Sequence, residues 1–472
     1  MEKKEKYFIL ILFLISLLIK LSLAFLTPYK FWDETIYANL GKNIVLYQEY
    51  SYFHGFGDFY PDWPLAGGRP PLIPFTVALV YLFSKNIILL NIIGPIISSI
   101  GIIAMFILAK KLFNKEIAIY SSLILAFFPM TNYWGSKLLT DIPFLTFLIA
   151  SSYFFLKTFL YEKKQKNSAI LFALFLALAF FTRYTIIWFF PVIFIWLLYK
   201  YKGLGFIKNK NLWLSGTVFL IIVLPWFIFN YLEFNSLLGF LKNSADASVR
   251  WGGKSLLFYL NTLKTHFWFL MPLSIVGLFI YKKIKFKNQA KMFIIIWLFV
   301  SFIMASITPA KEDRYLLIIL PPLILLSSWT LSYIKERKKL YYLIISLLII
   351  ILFTSNITLL NNAYIKYKYN QHDCFFKSMD YIKHSGASYV VTEHFSPVYF
   401  YTNVQNIRVD NYTITKEFIE ENHPNKYILY YYSKGDWFDL ENEEPSLKGI
   451  YECEEHKVLN LSISLLKSQT SF

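Results

Sequence analysis

Charged residues are scarce in this chain, at 16% of 472 positions, while hydrophobic types supply 56% and aromatics 20%. Soluble domains carry about 25% charged residues, so the deficit excludes a soluble enzyme of this length. A small-residue cleavage site is also missing after the basic start Met1–Lys6 and the apolar run Tyr7–Leu26. That segment therefore reads as a retained first helix. There is no Walker A sequence, which counts against ATP-driven transport, and Gly203-Leu204-Gly205 lacks the third glycine of a dinucleotide loop. His54-Gly55-Phe56-Gly57-Asp58, followed by Asp62, lacks the three or four converging ligands of a metal site and reads as a glycine turn. There are only two cysteines, Cys374 and Cys453, both in the C-terminal polar region. They can pair if that region is extracellular, and the sequence leaves the pairing open.

What is present is a series of apolar runs. They fall at about 7–27, 86–110, 116–134, 139–160, 167–182, 184–200, 212–232, 264–281, 290–307, 314–333 and 340–359, or about eleven spans by the criterion of roughly 20 residues each. Residues 72–83 form a shorter run that reads as interfacial or re-entrant. The net charge of +17 sits in short Lys and Arg clusters between the runs. That is the positive-inside pattern of a membrane protein, and no nucleic-acid partner is expected.

Parity supports this count. With the N-terminus inside, the clusters Lys110/Lys111/Lys115, Lys163/Lys164/Lys166, Lys200/Lys202/Lys208/Lys210, Lys282/Lys283/Lys285/Lys287 and Lys335/Arg337/Lys338/Lys339 all fall in cytoplasmic loops. If residues 72–83 spanned, every one of them would move outside. The expected architecture is thus a polytopic α-helical cell-membrane protein. Its transmembrane domain covers residues 1–359, with interfacial helices in an external loop at 28–85, and a small extracytoplasmic α/β domain covers 360–472. In that tail, residues 388–392, 426–432, 449–453 and 458–465 have strand composition, and helices are expected near 375–384 and 415–422. Asn411-Tyr-Thr413 and Asn460-Leu-Ser462 fit the N-glycosylation pattern.

Charge in or beside a span is costly and marks functional candidates. Apart from the lysine clusters, the candidates are Asp33, Glu34, Arg69, Lys137, Asp141, Arg183, Lys311 and Arg314, and the eleven-span arrangement puts all of them at the outer surface. Asp33 and Glu34 precede an amphipathic stretch, Thr35–Tyr47, with Ile36, Leu40, Ile44 and Tyr47 near helical spacing. They read equally as complements to a helix dipole or as a general base at the membrane edge. Asp141, two residues before Pro143, suits a helix start as well as a site. The basic residues suit an anionic group such as a lipid-linked phosphate, or alternatively interfacial anchoring.

In order and placement these motifs resemble the prokaryotic branch of the dolichyl-phosphate-mannose protein mannosyltransferase family, which includes the lipid A aminoarabinose transferases. Phe31-Trp32-Asp33-Glu34 is similar to the family's acidic pair and Gly68-Arg69-Pro70-Pro71-Leu72 to its basic-Pro-Pro element. Thr140-Asp141-Ile142-Pro143, Thr182-Arg183-Tyr184-Thr185 and Lys311 through Arg314-Tyr315 are similar to its later elements. The resemblance covers about residues 1–335. It implies a C-type glycosyltransferase fold and inverting transfer from a polyprenyl monophosphate sugar, dolichyl or undecaprenyl, at the outer face. By the resemblance, Asp33 is the base and Glu34 its support, while Arg69, Lys137, Asp141, Arg183, Lys311, Arg314 and Tyr315 hold the donor. No cofactor is implied, and a divalent metal is left open. The chain departs from the family in lacking the long luminal insert of the eukaryotic enzymes, since loop 233–263 is only about thirty residues. The acceptor is therefore left as protein, lipid or glycan. Arg69 stands where many relatives have Lys. Competing readings are a transporter or flippase of lipid-linked sugar, against which the lack of internal repeats counts, and a non-catalytic receptor.

Overall fold

Helices make up most of the described residues. The computed structural model describes residues 2–27, 32–54, 68–160, 165–250, 252–281, 283, 286–370, 373–407, 427–433 and 449–461. In chain order the helices are α1 (Lys3–Leu26), α2 (Trp32–Tyr47), α3 (Leu72–Phe83), α4 (Ile93–Leu112), α5 (Lys115–Phe127), α6 (Pro129–Gly135), α7 (Asp141–Leu160), α8 (Lys166–Thr182) and α9 (Phe190–Tyr201). They continue as α10 (Lys210–Phe234), α11 (Gly239–Arg250), α12 (Phe258–His266), α13 (Met271–Ile280), α14 (Asn288–Ile307), α15 (Leu320–Ile334), α16 (Lys338–Asn370), α17 (Cys374–His384) and α18 (Phe395–Thr402). Two compact units result, one of Met1–Pro28, Gly67–Ile73 and Asn86–Ala363, the other of Tyr29–Ala66, Pro74–Lys85 and Tyr364–Phe472. This differs from a single division at 359/360, because most of the first external loop groups with the C-terminal segment.

Eight of the eleven expected spans are helices long and apolar enough to cross a bilayer, among the described residues. The other three are helical but short or interrupted. The first is α8, at 17 residues. In the second, α5 and α6 are separated at Phe128, ahead of Pro129. The third is α12 with α13, which meet at a bend of 101° and make a ninth span if counted together. The break between α5 and α6 leaves backbone carbonyls without helical donors, which lipid cannot satisfy. Asn356 on α16 donates to the Phe127 carbonyl at 2.7 Å and accepts from the Asn132 amide at 2.7 Å. The Thr131 hydroxyl bonds the Leu125 carbonyl at 3.0 Å, whose donor in a continuous helix would be residue 129, a proline without an N–H. The twelve-residue α3 is too short to span unaided.

Within the first unit the two ends of α1 differ in chemistry. At its start, Glu5 pairs with Lys110 at 2.6 Å and Glu2 with Lys115 at 3.0 Å, while Glu116 pairs with Lys335 at 3.2 Å. Past its far end, the Lys137 ammonium donates to the Thr27 hydroxyl at 2.6 Å. A helix of 24 residues is about 36 Å long, so basic loops and candidate residues lie at opposite ends of this unit. In the most apolar stretch of Asp313–Ile334, 89% of the residues are buried, against 17% in the corresponding stretches of α10 and α16, whose sides are left for lipid.

The second unit contains a five-stranded mixed sheet in the order β2-β1-β3-β5-β4. Its strands are β1 (Tyr389–Val391), β2 (Gln405–Ile407), β3 (Ile428–Ser433), β4 (Gly449–Cys453) and β5 (His456–Asn460). β1 runs parallel to both β2 and β3, and β5 is antiparallel to β3 and β4. Parallel neighbours need a crossover, and α18 makes the one between β1 and β2. Met379, Ile382, Val390, Val398, Leu429, Tyr431 and Val458 form the core beneath the sheet. Cys374 at the start of α17 and Cys453 at the end of β4 form a disulfide, which settles the pairing left open by the sequence. The four expected strands and the helix near 375–384 are present; β2 and α18 were not expected. The expected helix at 415–422, the Asn411 acceptor site and the glycine turn from Gly55 to Asp62 lie outside the described residues.

Candidate functional site

Asp141 is the first residue of α7, where a carboxylate complements the helix dipole. It is also an ion-pair centre, so the two readings of the sequence coexist. Its Oδ1 accepts from Arg183 Nη1, and its Oδ2 faces Arg314 Nη1 at 3.6 Å. The three side chains are 2%, 15% and 10% exposed, respectively. Arg183 extends from the end of α8, and Arg314 lies in the 3-10 turn Asp313–Ile319 that leads into α15. Three stretches distant in sequence thus deliver one carboxylate and two guanidinium groups to one place.

Aromatic rings frame the pair. The Arg183 guanidinium lies 4.5 Å from the centre of the Tyr315 ring, and that of Arg314 lies 5.7 Å from Tyr315 and 5.4 Å from Trp134. Stacking of this kind fixes the plane of a guanidinium and favours its charge. Glu312, not singled out in the sequence, accepts from Arg314 Nε at 2.5 Å and from the Tyr315 hydroxyl at 3.2 Å. Its signal was available in its spacing of two residues from Arg314. Trp134 gives no comparable local signal, since a tryptophan near a span end reads as interfacial.

The remaining cations of this unit have separate settings. Lys137 is buried and bonds Thr27, with the Tyr133 ring 5.6 Å away. Lys311 is buried and donates to the Thr308 carbonyl at 2.8 Å. Arg69 is half-buried in the turn before α3. Among the described residues, no three His, Cys, Asp or Glu side chains converge as metal ligands.

Asp33 and Glu34 belong to the second unit, in the first turn of α2, with Glu34 buried and Asp33 half-buried. The helix around them corrects the amphipathic expectation. Glu34, Thr35, Asn39, Lys42 and Asn43 are buried along with Ile36 and Leu40, whereas Tyr47 is 42% exposed. The cause is α18, which covers the polar face of α2. The Thr35 and Ser396 hydroxyls lie 3.0 Å apart, Asn39 donates to the Ser396 carbonyl at 3.0 Å, and the Tyr399 hydroxyl donates to Asn43 at 3.1 Å. Lys42 donates to the Asn403 side chain and lies 4.7 Å from the centre of the Tyr399 ring. Burial holds the Lys42 ammonium down at about 8 and pushes the Tyr399 phenol up.

Residues 68–229 match the family model described as dolichyl-phosphate-mannose-protein mannosyltransferase. No curated protein sequence matches the chain. Among solved structures, ArnT from Cupriavidus metallidurans bound to undecaprenyl phosphate is similar with a TM-score of 0.73 at 13% identity, over 98% of this chain and 99% of that one. The oligosaccharyltransferase AglB from Archaeoglobus fulgidus, in complex with an inhibitory peptide and a dolichol-phosphate, is similar with a TM-score of 0.59 at 13% identity, over 94% of this chain and 70% of that one. The resemblance read from the motifs is therefore borne out: the chain carries the dolichyl-phosphate-mannose-protein mannosyltransferase pattern over residues 68–229, on an ArnT-like fold spanning nearly its whole length.

Proposed function

We propose that this protein is an inverting membrane glycosyltransferase that moves a sugar from a polyprenyl monophosphate, of the dolichyl or undecaprenyl kind, to a hydroxyl of a protein, lipid or glycan at the outer membrane face. The observation that carries this reading is the ring-framed pair Arg183 and Arg314 on buried Asp141. A guanidinium is a rigid planar fork of donors that suits a phosphate bidentately. The fold supports the same reading, since ArnT of this fold holds undecaprenyl phosphate.

In the proposed reaction Asp33 accepts the proton of the acceptor hydroxyl, with Glu34 in support. The acceptor oxygen forms its bond to the sugar's anomeric carbon on the face opposite the donor phosphate. The bond from that carbon to the phosphate oxygen breaks, and its electron pair leaves with polyprenyl phosphate. Charge builds on that oxygen, and Arg69, Lys137, Arg183, Lys311 and Arg314 stabilise it, with Asp141 and Tyr315 holding the guanidinium groups in place. One displacement inverts the anomeric centre. The N-terminus is cytoplasmic and the C-terminal domain extracytoplasmic, a placement supported by the basic loops and by a disulfide that suits an oxidising compartment.

The test supplies membranes containing the protein with a panel of labelled polyprenyl-phosphate sugars, with and without a chelator. One donor is expected to label a product with inverted anomeric configuration, and Asp33→Asn is expected to abolish labelling while expression is retained. Transfer by Asp33→Asn at the wild-type rate would remove the base assignment, and no labelled product from any donor would remove the function.

A further inference from the structure

The helix that carries the acidic pair is held from the C-terminal domain. Ser396 sits one residue into α18, and its hydroxyl meets Thr35, the residue that follows Glu34. Further along α2, Asn39 and Asn43 lie on the same face at successive four-residue steps. Asn39 reaches the Ser396 carbonyl at 3.0 Å and its hydroxyl at 3.3 Å, and Asn43 receives the Tyr399 hydroxyl. Around these bonds, Ile36 and Leu40 pack with Phe395, Tyr399, Tyr52 and Phe53 in one apolar cluster. All of Thr35, Asn39, Asn43 and Ser396 are fully buried.

Burying so many polar groups where leucines would pack is costly unless they find partners, as all of these side-chain groups except Asn39 Oδ1 do, and the paired ones favour one register. A purely apolar contact between α2 and α18 would allow sliding and rotation. Amides and hydroxyls at four-residue spacing allow only one arrangement. Because α18 is also the crossover between parallel strands β1 and β2, its own position is set by the sheet.

We propose that Ser396 and Tyr399 are positioning residues for the transfer reaction: through Thr35, Asn39 and Asn43, the C-terminal domain fixes the rotation and depth at which α2 presents Asp33 and Glu34. The inference rests on the catalytic reading of that pair. It makes the outer domain part of the catalytic apparatus in addition to any role it has in acceptor choice. A misplacement of about 1 Å can cost about 10²-fold in rate, so loss of one rung is enough to be seen.

The experiment uses the full chain and the labelled donor that gives product in the panel. Ser396→Val removes the hydroxyl, and Ser396→Thr, equal in volume to the valine variant, keeps it. Expected for Ser396→Val is a fall in kcat of about ten- to 10²-fold, with donor KM and binding of undecaprenyl phosphate itself unchanged. The acid limb of the pH–rate profile should shift as the surroundings of the carboxylates change, and Ser396→Thr should restore rate and profile. A wild-type kcat in Ser396→Val, beside an inactive Asp33→Asn, overturns the positioning role and leaves the base assignment standing. Joint loss of turnover and undecaprenyl phosphate binding in Ser396→Val also overturns it, since the contact then only holds the fold. An active Asp33→Asn overturns the catalytic reading and the inference with it.

Discussion

Two guanidinium groups on one buried carboxylate form a charge cluster with little water to screen it. Removing one member of such a buried set leaves another charge without its partner, a loss of about 3–5 kcal/mol, so Asp141 supports both arginines whatever they bind. Lys42 is the contrasting case, a buried ammonium held by an amide oxygen and a ring. Burial lowers its folded-state value from 10.5 to about 8. Between those two values the unfolded chain binds more protons than the folded one, so the stability contributed at this position rises with pH across that window. Below pH 8 both states are protonated and the cost of burying the charge is fully present. Lys42→Met keeps most of the apolar stem and removes the charge. Its thermal-unfolding midpoint is expected to lie furthest above wild type near pH 7, and the gap should close as pH approaches 10.5. A gap independent of pH would show that Lys42 does not titrate in this way.

Elements meet closely where glycine allows it. A Cβ on Gly41 of α2 would lie 2.5 Å from the Pro74 carbonyl oxygen and 2.5 Å from Val77 Cβ on α3. Gly216 in α10 has nothing within 4 Å of the same position. The same substitution should therefore have opposite signs at the two sites. Gly41→Ala forces α2 and α3 apart and is expected to cost about 1–3 kcal/mol, while Gly216→Ala should stabilise by about 0.5–1 kcal/mol. Thermal unfolding in detergent checks both, and equal midpoints would show that α2 and α3 do not meet as described. The close approach at Gly41 is not readable in the sequence, and the reason is general. Asp141, Arg183 and Arg314 are legible because charge is rare at the ends of apolar runs, and each announces itself locally. Glu312 is less so, because it stands among Lys311, Asp313 and Arg314, where one more charge is unremarked. For α18 the obstacle is different. Val398-Tyr399-Phe400-Tyr401 is a short aromatic and β-branched run that fits a strand as well as a helix. It becomes a helix because β1 and β2 pair in parallel, which is a non-local fact. The polar face of α2 belongs to the same class, since Thr35, Asn39 and Asn43 read as solvent-facing until α18 covers them.

For the whole molecule, sidedness depends on how the helices alternate. In the first unit α7 runs from Asp141 to Leu160, α8 returns from Lys166 to Thr182 beside Arg183, and the 3-10 turn and α15 lead from Arg314 to Ile334 beside Lys335. Every such pass begins or ends at the Asp141 cluster and reaches basic loops at the other end. The ion pairs of Glu2, Glu5 and Glu116 with Lys115, Lys110 and Lys335 gather the start of α1, the junction of α4 with α5 and the end of α15 at one place. A cluster of cations at one end and a cation–carboxylate site at the other is the asymmetry that positive-inside insertion requires, and it supports the proposed placement of the basic end in the cytoplasm. The native cysteines are joined to each other, so a single introduced thiol can report the side. Lys339→Cys lies in the last basic cluster and Lys383→Cys on the exposed part of α17. A membrane-impermeant maleimide applied to intact cells is expected to label Lys383→Cys alone, with Lys339→Cys labelled only after permeabilisation. Labelling of both from outside would place basic loops and the C-terminal domain on one side, and a site facing the exterior would then have no topological support.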